Sequence, residues 1–175
     1  QWNKNVVAIG LSSGFLEPLE STSIHLIQSA ITRLVHLFPH QGINDVLVSE
    51  YNKQSKVEFE QVRDFIILHY HVNQRTDSRF WQDMRTMNVP DSLAHKIELF
   101  AESGRLFKEQ DDLFQDSSWL QVMVGQGIIP KDYHPIANSV SEAALNEMLA
   151  KVKHAKHEPV SSLPSHDEFL KAALK

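Results

Sequence analysis

The sequence predicts a mainly α fold of several helices with one short strand near its start. A β-branched apolar run, "NVVAIG", occupies residues 5–10. After it, apolar residues recur every three or four positions over most of the chain, and no second run of strand type follows. Because a lone strand leaves its backbone groups unpaired, we expect its partner strands outside the chain, which would make the chain a fragment of a larger protein. A start at Gln1 instead of methionine agrees with this, although processing would also explain it.

The composition is that of one globular domain in the cytoplasm. The 175 residues are 42% hydrophobic and 22% charged, which is ordinary for a folded soluble protein. The formal net charge of -5 supplies no broad positive field, so we expect no nucleic-acid partner. The chain has no cysteine, which excludes disulfides and cysteine metal sites. Its apolar runs are too short to span a bilayer and it has no signal-peptide pattern, so we expect no membrane association.

The first elements follow from residue type and spacing. The strand at 5–10 leads into a turn of small residues, "GLSSG", at 10–14. Apolar positions spaced by three and four predict an amphipathic helix over 23–38. Pro39 ends this helix because proline lacks the backbone N–H that a further turn needs.

Three further helices are predicted in the middle of the chain. The longest covers 43–71, with a break or bend allowed at the polar stretch "NKQSK", residues 52–56. A short helix around 77–85 follows it. The next helix begins at Pro90 and ends at Gly104, which are the residues expected at a helix start and a helix end.

The last third of the chain is less regular. Residues 117–127 predict two or three helical turns, and 128–139, with two prolines, predict a loop packed against the body of the protein. The stretch "KHEPVSSLPS" at 156–165 predicts a linker. Two later helices begin with capping-box patterns, at Ser139 with Glu142 and at Ser165 with Glu168.

Two carboxylates, Glu17 and Glu20, lie three positions apart around a proline in "GFLEPLEST", residues 14–22. Acidic residues before a helix ordinarily complement its positive end and contribute roughly 0.3 to 1 kcal/mol each. The local sequence also allows a general base, because a carboxylate withdrawn from water among apolar neighbours suits that role. Position alone favours the first interpretation, and the second stays open.

Other local patterns are weaker. Residues 21–23 can cap the following helix, whose first N–H groups also attract small anions. His69 and His71 lie on different faces of a helix, which argues against a metal site. The adjacent aromatic residues Phe80 and Trp81 could stack on a planar ligand, although core packing is commoner.

Residues 2–22, "WNKNVVAIGLSSGFLEPLEST", closely resemble the segment of flavin-dependent tryptophan halogenases that contains their active-site glutamate. Weaker agreement continues through "HYH", "RFW" and "QVMVGQGIIPKDYHP" to residue 135. The resemblance implies that the chain is the C-terminal, largely helical part of a larger α/β flavoprotein. Residues 1–24 would then belong to the flavin and halide site, and 25–175 would form one helical region on the substrate side. The family's G-x-G-x-x-G and W-x-W-x-I-P motifs are missing, so the chain alone should be inactive.

The resemblance also implies cofactors and partners. In the family, reduced FAD, oxygen and halide yield hypohalous acid, and an upstream lysine and a glutamate direct the halogen onto an indole carbon. We therefore expect FAD and a halide ion as cofactors, with no metal. The expected partners are an indole-type aromatic substrate and a separate flavin reductase, and the family pattern admits a homodimer.

Matching positions assign roles to individual residues. The resemblance implies that Glu20 and its neighbour Ser21 are catalytic and that Glu17 is structural. The remaining implied contacts are Leu11 and Ile24 for the flavin, Thr22 and Ser23 for the halide, and His69, Tyr70, Phe80 and Trp81 for the substrate.

Three departures from the family pattern bear on specificity. Ser23 replaces a usual glycine, which alters the expected halide contact and leaves chloride and bromide both open. His69 replaces a usual tyrosine. Thr76 and Arg85 occupy the positions at which tryptophan-specific members place a glutamate and an asparagine. These departures argue against free tryptophan and favour another indole or a carrier-bound or larger aromatic.

A second hypothesis is a free-standing helical protein-interaction module without enzyme activity. The amphipathic helices and the lack of a complete catalytic set within the chain support it. We favour the halogenase because a long match around one glutamate arises by chance far less readily than amphipathic periodicity.

Overall fold

The computed structural model describes residues 1–109 and 112–174. They form two compact units, Gln1–Tyr133 and His134–Lys175. The predicted division at residue 24 separates the flavin and halide site from the substrate side, not two compact units, and it stays a prediction. Within the described ranges, no helix is long and apolar enough to cross a bilayer.

The first unit begins with a small β-hairpin. Strand β1 (Trp2–Asn3) pairs antiparallel with β2 (Val6–Val7), and Trp2 lies opposite Val7. The prediction of an unpartnered strand over 5–10 is therefore wrong, because the strand is shorter and its partner directly precedes it. Two residues are too few to show strand periodicity, which is why β1 escapes sequence analysis. In the described part of the chain, this hairpin is the only sheet.

Helices make up most of the first unit, as predicted. Two short 3-10 turns, Gly10–Ser12 and Pro18–Glu20, follow the hairpin. The α-helices described in this unit are α1 (Ser23–His36), α2 (Asp45–His71), α3 (Arg79–Thr86), α4 (Asp91–Ser103) and α5 (Asp116–Gly125).

Helix α2 continues without interruption through the polar stretch 52–56. Asn52 binds the backbone of β1: its Oδ1 accepts from the Trp2 N–H at 2.7 Å, and its Nδ2 donates to the Trp2 carbonyl at 2.9 Å. Arg33 of α1 donates to Gln54 at 3.2 Å and to Ser55 at 3.0 Å. The polar residues therefore mark where α2 contacts the hairpin and α1, and the helix does not break there.

The apolar core of the first unit lies between α2, α4 and α5. Fully burying a large apolar side chain contributes about 1.5 to 3 kcal/mol, so this cluster holds the C-terminal turns of α2 firmly. The buried members are Phe65, Leu68, Val72, Leu93, Phe100, Trp119 and Met123.

Helix α1 has the predicted amphipathic pattern, but no residue of this fully described helix is buried. The side chains of Ile24, Ile31 and Val35 are exposed, as is Phe38 just beyond the helix. The apolar positions of α1 therefore contribute little to the core of the first unit.

A buried carboxylate joins α1 to α2. Glu58 Oε2 accepts from Arg33 Nη2 at 2.9 Å and from Ser29 Oγ at 2.8 Å. His25 Nε2 lies 3.2 Å from the other oxygen, Oε1. Because one carboxylate contacts three side chains of α1, polar contacts hold the two helices in register.

The segment after α5 packs on the end of α4, which confirms the predicted packing for residues 128–133. The Lys131 N–H donates to the Ala101 carbonyl at 2.9 Å, and the Lys131 ammonium pairs with Glu102. Gly104, at φ 64°, ends α4 in the left-handed conformation, and an added Cβ would lie 3.2 Å from the Asp132 carbonyl oxygen. Glycine is therefore required there for conformation and for space.

The second unit contains a 3-10 turn, Pro135–Ser139, followed by α6 (Glu142–Ser162) and α7 (His166–Ala173). The predicted capping box of Ser139 is wrong. Ser141 is the N-cap of α6, and its hydroxyl accepts from the Ala144 N–H at 3.3 Å. The Ser139 hydroxyl instead donates to the Ile136 carbonyl at 2.7 Å.

The predicted linker at 156–165 is mostly helix, because α6 continues to Ser162 with Pro159 inside it. A proline removes only one N–H donor, and the turns on either side sustain the helix here. The capping box of Ser165 is confirmed: its hydroxyl accepts from the Glu168 N–H, and the Glu168 carboxylate accepts from the Ser165 N–H at 2.8 Å.

Candidate functional site

The predicted catalytic residue lies in a short turn that faces the end of α2. Glu17 precedes the 3-10 turn Pro18–Glu20, and Ser21 closes it in the left-handed conformation at φ 55°. This backbone path directs both carboxylates of the turn towards α2. Glu20 contacts His69, and Glu17 contacts Tyr70.

Glu20 and His69 form a half-buried pair. Glu20 Oε1 lies 3.0 Å from His69 Nε2, and the two side chains are 30% and 20% exposed. The other ring nitrogen, Nδ1, lies 2.8 Å from the Phe65 carbonyl oxygen one turn back along α2. The imidazole also packs edge-on against the Phe65 ring, with centroids 4.9 Å apart. His69 is thus held on both nitrogens and on one face.

Glu17 accepts a hydrogen bond from the Tyr70 hydroxyl. That hydrogen bond raises the pKa of Tyr70 to about 12, and burial and the charge of Glu17 add to the shift. The phenol is therefore neutral at any physiological pH and acts as a donor. Sequence analysis assigned Glu17 a structural role, and the structure shows that it orients a residue expected to contact substrate.

Three aromatic side chains, Tyr70, Phe80 and Trp81, form what we call the aromatic wall. Tyr70 and Trp81 stack with centroids 5.7 Å apart and ring planes 15° apart. Phe80 lies nearly perpendicular to both rings, at 6.4 Å from Tyr70 and 5.0 Å from Trp81, and is half exposed. The Arg75 guanidinium lies 4.5 Å from the Trp81 ring centroid. Such a cluster can pack against a flat aromatic ligand.

Asn73, which sequence analysis missed, joins the two parts of the wall. It is buried, and its Nδ2 donates to the carbonyls of Tyr70 at 2.6 Å and Trp81 at 3.2 Å. Its Oδ1 accepts from the Arg75 N–H at 2.9 Å, which is an Asx turn. The signal available in the sequence was an asparagine just after a long helical pattern, a residue type that often forms such turns.

Arg85, which departs from the pattern of the tryptophan-specific members, binds backbone. Its Nε donates to the Asn73 carbonyl at 2.9 Å, and its Nη2 donates to the Arg75 carbonyl at 2.6 Å. The Thr76 carbonyl accepts from Gln82 Nε2 at 3.2 Å. Arg85 therefore holds the loop between α2 and α3 in place.

The start of α1 follows directly after Glu20. Thr22 is the N-cap and only 3% exposed, and Ser23 is the first helical residue. The Leu26 N–H is the first that donates to a cap carbonyl, that of Thr22, at 2.9 Å. The N–H groups before it belong to the free set at any helix start, which suits a small anion such as a halide.

The two residues expected at the flavin are accessible. Leu11 is 74% exposed on the turn Gly10–Ser12, and Ile24 is 70% exposed in the first turn of α1. Exposed apolar side chains fit contact with a flat ring system such as flavin. The sequence contains no glycine-rich phosphate-binding motif.

An open cavity of about 650 Å³ lies between the segment after the hairpin, α1 and α2. Leu11 and Ser23 border it, whereas Glu20 and the aromatic wall do not. Across residues 1–109 and 112–174, no three histidine, aspartate or glutamate side chains lie close enough together to hold a metal ion.

Comparisons of sequence and of fold with known proteins point to one family. A family model described as tryptophan halogenase matches residues 1–142. The chain is 36% identical over 175 residues to tryptophan 6-halogenase SttH of Streptomyces toxytricini, covering 98% of the chain and 33% of that protein. It is 30% identical over 187 residues to tryptophan 7-halogenase RebH of Lentzea aerocolonigenes, covering 97% of the chain and 35% of that protein.

Solved structures share the fold. Xcc4156, a flavin-dependent halogenase from Xanthomonas campestris, matches with a TM-score of 0.91 at 49% identity over 98% of the chain and 34% of its own. BrvH, a flavin-dependent halogenase from Brevundimonas sp. BAL3, matches with a TM-score of 0.91 at 44% identity over 98% of the chain and 35% of its own. The chain spans about a third of the length of these relatives. Since the family model covers most of the sequence and the fold agrees, the chain belongs to the tryptophan halogenase family.

Proposed function

We propose that residues 1–175 are the C-terminal part of a flavin-dependent halogenase that acts on an indole or a related aromatic. The contacts between the turn and α2 carry this proposal, because Glu20 meets His69 while Glu17, three positions before it, meets Tyr70 of the aromatic wall. The free N–H groups at the start of α1 follow Glu20 directly in the chain. A base, an aromatic surface and an anion-binding helix start are therefore neighbours.

The residues divide the chemistry between them. Bound reduced FAD would supply hypohalous acid from oxygen and halide. Glu20 accepts the ring proton that the halogen replaces, and Ser21 holds the backbone turn that presents it. The contacts we propose for the other groups are Thr22 and Ser23 with the halide, Leu11 and Ile24 with the flavin, and the aromatic wall with the substrate ring.

The surroundings of the wall favour a substrate other than free tryptophan. A free amino acid carries an ammonium group that seeks a carboxylate, and position 76 is a threonine. Arg85 uses its Nε and Nη2 to bind two backbone carbonyls, which supports a role in holding the loop. We propose an indole without the free amino-acid group, or a larger or carrier-bound aromatic. The reduced FAD would come from a separate flavin reductase in the cytoplasm.

The test is a Glu20→Gln substitution in the full-length protein, assayed with a flavin reductase, indole, and chloride or bromide. We expect FAD binding to persist and halogenation to fall by about 10²-fold or more, since an amide cannot accept the ring proton. Glu17→Gln is the matched control, and we expect a smaller loss from it because it only removes the charge of the group that accepts from the Tyr70 hydroxyl. Near-normal turnover by Glu20→Gln contradicts the role of this carboxylate.

One observation favours the helical interaction module as a second candidate. The apolar side chains Ile31 and Val35 of α1 and Phe38 after it are exposed together. A free-standing module would expose these apolar side chains to water. If this hypothesis is right, the isolated chain stays monodisperse and melts cooperatively without a further domain.

A further inference from the structure

We propose that His69 acts with Glu20 as one acid–base pair, which holds a single proton at rest and takes up the proton of the substrate ring as its second. The inference rests on the proposed function and deepens it by stating how Glu20 is positioned and where its proton goes. His69 is then a positioning residue that works through Glu20.

The tautomer of His69 follows from its partners. A backbone carbonyl can only accept a hydrogen bond, so the contact of 2.8 Å between Nδ1 and the Phe65 oxygen places a proton on Nδ1. Nε2 is therefore the nitrogen that faces Glu20, at 3.0 Å from Oε1. Both ring nitrogens are engaged by the protein, which assigns this side chain to Glu20 and not to the substrate.

The contact between Nε2 and Oε1 requires one proton. Two lone pairs facing each other at 3.0 Å repel, whereas one shared proton makes a charge-assisted hydrogen bond. That proton lies on nitrogen in an imidazolium–carboxylate pair, or on oxygen in a neutral pair. In either form, Oε1 is occupied and Oε2 of Glu20 is the oxygen left to act as base.

The pair lies between the 3-10 turn and α2. Glu20 comes from the 3-10 turn, and His69 and the Phe65 carbonyl come from α2. The next carboxylate, Glu17, is taken by the Tyr70 hydroxyl. The hydrogen bond between Tyr70 and Glu17 keeps the second carboxylate of the turn from competing for the imidazole.

The reaction balances with this pair. Ring electrons form the carbon–halogen bond while the oxygen–halogen bond of hypohalous acid breaks and hydroxide leaves. The electrons of the C–H bond then return to the ring, and the proton goes to Oε2 of Glu20. The pair now holds two protons, one on Oε2 of Glu20 and one on Nε2 of His69, and the partly exposed Glu20 carboxyl releases its proton to water, where hydroxide neutralises it.

The experiment compares His69→Gln with the unsubstituted full-length protein in indole halogenation. Glutamine keeps an N–H that can reach Oε1, but its amide cannot take the shared proton from Glu20. We expect kcat to fall by about 10-fold to 10²-fold with KM little changed. Because proton removal becomes slower, indole deuterated at the halogenated carbon should show a larger isotope effect in His69→Gln than in the unsubstituted protein.

Two further variants separate this role from a structural one. His69→Asn can reach the Phe65 carbonyl but not Glu20, so we expect it to lose at least as much turnover. His71→Gln is the matched control, because the hydrogen bond of His71 is a long one to the Met84 carbonyl, at 3.4 Å, and we expect near-normal turnover. Turnover of His69→Gln within twofold of the unsubstituted protein overturns the proposal. Equal losses in both His69 variants without a changed isotope effect also overturn it.

Nuclear magnetic resonance of ¹⁵N-labelled histidine tests the pair independently of activity. We expect a protonated Nδ1 in His69 and an Nε2 resonance that shifts in Glu20→Gln. An Nε2 resonance that is unchanged in Glu20→Gln overturns the shared proton. If the unsubstituted protein halogenates no substrate, the proposed function is overturned instead. The spectrum then tests by itself whether Glu20 and His69 share a proton.

Discussion

Adjacent residues at the end of α2, His69 and Tyr70, each meet a carboxylate of one short turn. Successive side chains of a helix point about 100° apart, so a single partner cannot serve both. Glu17 and Glu20, three positions apart around Pro18, reach across the helix to one residue each. The outcome is one carboxylate that orients an aromatic donor and one that faces an imidazole.

The titration of Tyr70 tests the first of these contacts. The pKa is raised from 10.0 to about 12 chiefly by the hydrogen bond to Glu17, so the neutral phenol is the form that folding favours. The stability that this hydrogen bond adds to the folded state is fully present below pH 10.0 and is lost as the pH rises towards about 12. The ultraviolet phenolate signal of Tyr70 is the one that Tyr70→Phe removes, and we expect it to appear near pH 12.

Glu17→Gln supplies the control for that titration. Without the carboxylate, the Tyr70 signal should appear at a lower pH, closer to the ordinary value of 10.0. A signal that stays at the same pH in Glu17→Gln shows that the contact does not control the phenol.

Helices α1 and α2 depend on one buried carboxylate for their register. The side chains of Glu58 and Arg33 are 10% and 13% exposed and lie 2.9 Å apart, and Ser29 and His25 complete the set. A buried pair contributes little over an apolar alternative, but removal of one partner leaves a costly uncompensated charge.

Substitution of Glu58 by glutamine should therefore destabilise the protein. We expect the free energy of unfolding to fall by about 3 kcal/mol, because the Arg33 guanidinium remains buried without a counter-charge. Denaturant unfolding monitored by circular dichroism measures the change. Glu60→Gln, on the same helix with a carboxylate 42% exposed, should change it by less than about 1 kcal/mol. Equal effects of the two substitutions contradict the role of Glu58.

On the scale of the whole molecule, the first unit leaves a row of large apolar side chains exposed near its start. They lie in the hairpin, in the turn before α1, along α1 and beyond it. A soluble monomer seldom exposes so many neighbouring apolar groups. The exposed members include Val6, Leu11, Phe15, Leu19, Ile24, Ile31, Val35, Phe38, Ile43 and Val46.

The isolated 175-residue chain should accordingly bind an environment-sensitive apolar dye and self-associate. We expect Val35→Lys to reduce dye fluorescence and association, because it puts a charge in the exposed apolar row. Thr32→Lys adds the same charge to an exposed polar position of α1 and should change little. Light scattering and dye titration measure both effects. A monodisperse, cooperatively melting chain that binds no dye would favour the interaction module over the halogenase part.

Periodicity along the sequence was sufficient for the helices of the first unit, because their apolar side chains recur at the spacing of a helix. Periodicity was insufficient where local hydrogen bonds set the bounds of a helix or strand. Strand β1 is too short to show a pattern, Ser141 caps α6 in place of Ser139, and Pro159 lies within a continuous helix. Each of these outcomes depends on which backbone donors find acceptors, which apolar spacing does not report.

The sequence by itself determined the helical class and the family resemblance, and that resemblance is what implies a role for Glu20 and the aromatic residues of the wall. Only the tertiary structure decided their partners: Glu17 with Tyr70, Glu20 with His69, and Asn73 with both parts of the wall. The physical reason is distance along the chain. Glu17 and Tyr70 are 53 residues apart, and a contact of that kind exists only once the core of α2, α4 and α5 has placed the end of α2 beside the turn.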